Sequence, residues 1–244
     1  MIDWLWRNGT EEPAAHTLVL GGRTLPIAII RHPTAKRLTL RLAPDGESVK
    51  VTIPRWGLTA DALDFARSRT EWLNAQLAKR PARVAPVPGG TIQYRGRELA
   101  IEWSAKAPRR AVADHEQIYL GGPEHSIEPR LKRWLREEAV ALFETDAADF
   151  SIKVNLPPPP LSLSTARRRW GSCASDGTMR LNWRLVQAPD HVRRSVVAHE
   201  TAHRVHFDHS PAFHALLANL FGPDLPEADR WLRDHGQTLF STFG

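Results

Sequence analysis

The residues of this 244-residue chain best suited to chemistry are the imidazoles and the carboxylate of His199-Glu200-Thr201-Ala202-His203. Two imidazoles four positions apart share one helical face, with Cβ atoms about 6 Å apart, and can converge on one zinc ion at about 2.0 Å. Glu200 follows His199 directly, so its carboxylate points past such an ion toward the open coordination position. There it can act as general base on a metal-activated water. The chemistry expected is hydrolysis with one zinc ion per chain, and a peptide or protein is the expected substrate.

A tetrahedral catalytic site needs a third protein ligand, and His206, His209 and His214 follow closely. His206 lies seven residues beyond His199, about 10 Å along the axis, too far for both to reach one metal comfortably. His209 precedes Ser210-Pro211, which reads as the N-cap and first residue of a new helix closed by Gly222. A reversal there folds His209 back over His199 and His203. His209 is therefore the expected third ligand, and His214 the next candidate. The three-histidine spacing is that of the metzincins, but His206 stands where their turn glycine belongs and no Met-turn is evident.

The helix presenting the motif is expected to start at Asp190, read as N-cap after Pro189, and to continue through Val192, Val196, Val197 and Ala202. Upstream, residues 17 to 55 alternate as strands: Leu38, Leu40 and Leu42, then Val49, Val51 and Ile53, with a turn at Pro44-Asp45-Gly46. After Pro54 the apolar spacing of Leu63, Ala66, Leu73 and Leu77 becomes helical. Residues 81 to 90 form a Pro/Gly-rich connection, followed by short strands at 91 to 103 and 117 to 120. A helix over 126 to 148 carries Leu131, Trp134, Leu135, Ala139 and Leu142 on one side, and a strand is expected near Ser151 to Leu156. Pro157 to Pro160 reads as a stiff spacer. Next, LSLSTARRRWGSC and TMRLNWRLV read as a strand pair joined through Ser175-Asp176-Gly177, the strand Met179 to Val186 presenting a free edge to an extended peptide. Trp170 to Cys173 is either a tight strand-end corner or part of a substrate groove, and a last helix spans about 226 to 239 with Trp231 and Leu232.

The fold class expected is α+β: an amino-terminal β-rich unit with a helix over residues 1 to 88, then a zincin-like unit over 89 to 244, in which a small sheet packs on the active-site helix. A length of 244 residues with 42% hydrophobic content supports a proper core. One cysteine, Cys173, excludes an internal disulfide framework and fits a reducing compartment. Charged residues interrupt the first stretch before a signal-peptide-length apolar run forms, and no 18-residue apolar run follows, so a cytoplasmic location without membrane contact is expected. The net charge of +6 permits contact with nucleic acid, but acidic residues are interleaved and only Arg167-Arg168-Arg169 is an uninterrupted basic run.

Four pieces, RRRWGSC (167 to 173), LNWRLVQAP (181 to 189), VVAHETAH (196 to 203) and DHSPAF (208 to 213), resemble the YgjP-like metallopeptidases, relatives of the SprT-like zinc proteins. The resemblance extends to the amino-terminal strands and the Trp72-containing helix. It implies a zinc site of His199, His203 and His209 with Glu200 as base, and a hydrolase or peptidase activity. Two other readings stand beside it: a nucleic-acid-associated protease of SprT-like kind, and a zinc-binding protein without catalysis. The presence of Glu200 argues against the second, since a structural site has no use for a base beside an open position. Arg168, His206 and His214 are the candidates for stabilising a tetrahedral intermediate.

Overall fold

The computed structural model describes residues 10–11, 16–43, 46, 48–78 and 84–243. The chain divides into two compact units, Met1–Pro81 and Ala82–Gly244. Together their helices and small sheets make the α+β class expected.

In the first unit the strands are β1 (Thr10–Glu11), β2 (His16–Leu20), β3 (Arg23–His32), β4 (Thr39–Leu42) and β5 (Val49–Pro54), followed by α1 (Thr59–Ser68) and α2 (Thr70–Ala78). β3 pairs antiparallel with β2 and β1 and parallel with β5, and β4 closes the far side of β5. The alternation read in Val49, Val51 and Ile53 is real: all three are fully buried, against Ala62, Ala66 and Leu73 of the helices. Pro44 and Asp45 of the expected turn lie outside the described residues, as do residues 81–83 of the Pro/Gly-rich connection.

The second unit begins with β6 (Thr91–Tyr94), β7 (Arg97–Ser104), β8 (Val112–Ala113) and β9 (Gln117–Gly121), a sheet ordered β6-β7-β9-β8. The long helix α3 (Ile127–Lys153) follows. The strand expected at Ser151 to Leu156 is absent. Phe143, Ala147, Phe150 and Ser151 are buried along one helical stripe, so Ser151–Lys153 is the last turn of α3, and Asn155 leaves it at φ +54°. Ser151 to Leu156 alternates polar and apolar residues, but the helical stripe prevails over that period: Ser151 is buried and Ile152 is 75% exposed.

Beyond the proline spacer come β10 (Leu161–Ser164), β11 (Gly171–Cys173) and β12 (Met179–Asn182). β12 is central, parallel to β10 and antiparallel to β11, so the free edges belong to its neighbours. This corrects the free-edge reading of Met179 to Val186. The strand also stops at Asn182, whose side chain accepts the Arg184 amide at 3.1 Å and starts a 3-10 turn over Trp183–Gln187. Arg184 and Gln187 are held to the chain end through the carbonyls of Phe243 and Leu239. Helices α4 (Asp190–His203), α5 (Pro211–Phe221) and α6 (Leu225–His235), with a 3-10 turn at Gly236–Phe240, complete the unit.

Candidate metal centre

Helix α4 is fixed at both ends by different means. Pro189, not Asp190, occupies its N-cap, and the Asp190 carboxylate is drawn away to Arg95 and Arg193. Arg193 Nε donates to Asp146 of α3 at 2.7 Å, both side chains being buried, and Arg194 reaches the other oxygen of Asp146 at 2.6 Å. Val192, Val197, Ala198 and Ala202 are buried in the core, so the register of α4 leaves no freedom to its carboxyl-terminal turns.

Those turns bring His199 and His203 together, with ring centroids 4.9 Å apart. The loop after α4 returns His209: its Nε2 lies 3.3 Å from Nε2 of His199, and one ring nitrogen from each of the three histidines falls within 4.8 Å of the others. The reversal is built as its residues suggest. Ser210 caps α5 by accepting the Phe213 amide at 3.4 Å, Pro211 sits in its first turn, and Gly222 ends it at φ +94°. His206 is outside the cluster, as its axial distance implied, yet its backbone contributes. The His206 carbonyl lies 3.2 Å from His203 Nδ1. A carbonyl only accepts, so Nδ1 carries the hydrogen and Nε2 keeps a free lone pair. His214 is exposed, 6.3 Å from His209 by centroid, and outside the cluster.

Phe213, fully buried, forms the wall of the cluster, its ring centred 5.0, 4.6 and 4.8 Å from those of His199, His203 and His209. Burial, then the neighbouring His203, His209 and His214, pull the His199 pKa down to about 4, and burial lowers that of His203. At neutral pH these two rings offer lone pairs rather than protons. Two nitrogens at 2.0–2.1 Å from one tetrahedral ion lie about 3.3–3.4 Å apart. The three imidazoles, the His203 tautomer and the 3.3 Å separation of the His199 and His209 nitrogens therefore fit zinc.

Glu200 carries the one carboxylate oxygen among the buried polar atoms that lack a hydrogen-bond partner in the described residues. Its side chain is 5% exposed, and its Oε2 has no hydrogen-bond partner among the described residues. Burial pushes its pKa up to about 7, against the charge of Arg169 and the amide of Cys173. Gly171 makes room for it: a Cβ there would fall 2.8 Å from the Glu200 carboxyl carbon. That close approach explains the glycine in RRRWGSC, a requirement that sequence spacing does not reveal. Trp170 turns toward the chain end, its ring 5.6 Å from that of Phe240 and packed on Gly236, which favours the corner over the groove. Arg167 lies over the Phe240 ring at 5.6 Å.

The family model for the YgjP-like metallopeptidase domain matches residues 36–235. The chain belongs to this family. Searches of curated proteins and of solved structures found no match. Membership makes the YgjP-like domain a metallopeptidase acting on peptide bonds and brings a metal ion with it. Among its described residues, the three histidines are the one group of side chains suited to holding that ion. No helix of the described residues is long and apolar enough to cross a membrane.

Proposed function

We propose that this protein is a zinc-dependent peptidase in which His199, His203 and His209 hold the metal and Glu200 is the general base. The observation that carries the reading is the meeting of two incomplete groups: three ring nitrogens within 4.8 Å of one another and, one residue along α4, a buried carboxylate oxygen without a partner. A zinc ion held there supplies Lewis acidity, polarising the scissile carbonyl and acidifying a water molecule. Glu200 accepts a proton from that water as its oxygen bonds to the carbonyl carbon. It then delivers the proton to the leaving amine as the C–N bond breaks. A carboxylate whose pKa sits at about 7 is matched to both halves of that exchange.

The β11 edge offers a place for substrate backbone. Gly171–Cys173 is paired on one side only, and its first residue touches the base. An extended peptide added there brings its carbonyls alongside Glu200 without demanding particular side chains. The test compares purified wild type with Glu200→Gln on a broad peptide library, with metal content measured in both. Cleavage by the wild type alone, at equal zinc content, is expected. Equal cleavage by both proteins sinks the mechanism.

A further inference from the structure

The second unit carries a charged trough along α3. A cavity of about 990 Å³ between β6, β8 and α3 shares Arg110, Ala111, Trp134 and Glu137 with a second of about 730 Å³. The second shares Pro129, Arg133 and Glu137 with a third of about 460 Å³ along α3. Eight cations line the three; Arg95 pairs with Asp190 and Arg130 donates to the Gly121 carbonyl, which leaves six: Arg97, Arg109, Arg110, Lys132, Arg133 and Arg136. None of the six makes an ion pair among the described residues. Arginines that merely dress a helix find carboxylates nearby; here Glu137 stands among them and pairs with none. The trough therefore keeps an unbalanced positive potential inside a concave surface, the arrangement that concentrates a polyanion.

Two features choose among polyanions. Of the four carboxylates along the trough, Asp114 accepts two backbone amides, Glu138 the Tyr94 hydroxyl and Asp190 the guanidinium groups of Arg95 and Arg193, so Glu137 alone is open to a ligand. A phosphodiester backbone, charged at every residue and without N–H donors, has nothing to give Glu137, whereas a polypeptide offers an amide donor at every residue. Val112, Val140, Leu163 and the edge of Trp134 add apolar floor for side chains. We infer that the trough is an exosite for an acidic, partly apolar stretch of a polypeptide, through which protein substrates are recruited. It rests on the peptidase reading and adds a substrate class to it. Asp190, one of the residues lining the trough, lies on the same helix as His199, about 13.5 Å along its axis from it.

Binding is measured by fluorescence anisotropy on the full chain carrying Glu200→Gln, so that nothing is cleaved and a failure here leaves the peptidase reading standing. The probes are a peptide of alternating Glu and Leu, its Gln and Leu counterpart, and a single-stranded oligonucleotide of equal charge. The acidic peptide is expected to bind, more weakly as salt rises, and the neutral one to bind far less. The triple variant R109E/R110E/R133E, and the milder R109Q/R110Q/R133Q if the first does not fold, should weaken binding by about tenfold or more. Undiminished binding by a folded triple variant overturns the proposal, as does absence of binding to the acidic peptide. Tighter binding of the oligonucleotide overturns it too, and gives the trough to nucleic acid.

Discussion

The two ends of helix α4 bury charge in opposite ways. At the amino-terminal end Arg193 and Asp146 are almost wholly enclosed, yet every charge there meets another: Arg193 and Arg194 share Asp146, and Arg193 also meets Asp190. At the other end, about two turns on from Arg193, Glu200 is just as enclosed and Oε2 meets nothing, while three imidazoles turn their nitrogens toward one another. Leaving one buried carboxylate oxygen without a partner costs on the order of 1–3 kcal/mol, and beside three converging imidazoles that oxygen is open to something outside the chain. Satisfied charge at one end is architecture. Unsatisfied charge at the other is a site.

The largest expected effects test that division directly. Glu200→Gln should lower kcat by about 10²–10⁴, the range for losing a general base, while the melting temperature holds or rises because a buried, unpaired acid becomes neutral. A fall in stability together with activity would make Glu200 architectural after all. Asp146→Ala should do the reverse. Removing the shared partner leaves the buried guanidinium of Arg193 with only the part-exposed carboxylate of Asp190, which costs up to about 3–5 kcal/mol in urea unfolding. Zinc content per folded molecule should stay at the wild-type level. A loss under 1 kcal/mol would mean that water already serves Arg193, and the contrast between the two ends would dissolve.

How far this arrangement was legible in the sequence depended on the range of the interaction. His199, Glu200 and His203 meet through helical spacing, and His209 joins them through Ser210-Pro211, both local signals. Gly171 and Phe213 act on residues 29 and 14 or fewer positions away through space, and their types alone announce nothing. The Asp146 pair belongs to the same class, since 47 residues separate Asp146 from Arg193. The strand errors have the same origin. The form of Ser151 to Leu156 is set by the helical stripe that buries Phe150 and Ser151 in spite of its alternation, and that of Trp183 to Gln187 by the Asn182 cap. Alternation succeeded in β5 because one face there is covered and the other is not.

A smaller effect is expected at the wall of the cluster. Phe213→Leu keeps an apolar side chain but removes the ring packed on all three histidines. Groups that orient ligands from outside typically change metal affinity by 10–100-fold on removal; for this partial replacement a loss of about tenfold is expected, read by chelator competition. An unchanged zinc affinity would show that the His206 carbonyl and the turn at Ser210 suffice to orient the rings.

The smallest effect is at Arg95, and its value lies in its pH dependence. Burial alone would raise the pKa of Asp190, but Arg95 and Arg193 outweigh it and hold the carboxyl below its ordinary value. A carboxyl depressed in the folded state contributes stability above its unfolded pKa of about 3.9, and that contribution is lost as pH falls through the folded value. Arg95→Ala should therefore lower stability at neutral pH by less than about 1 kcal/mol, since the pair is 44% and 37% exposed and screened by solvent. The difference from wild type should shrink in acid and vanish once Asp190 is protonated in both proteins. A difference that persists unchanged to the lowest pH would mean that Arg95 acts by packing rather than by charge. In that case the amino-terminal end of α4 would owe its order to Asp146 alone.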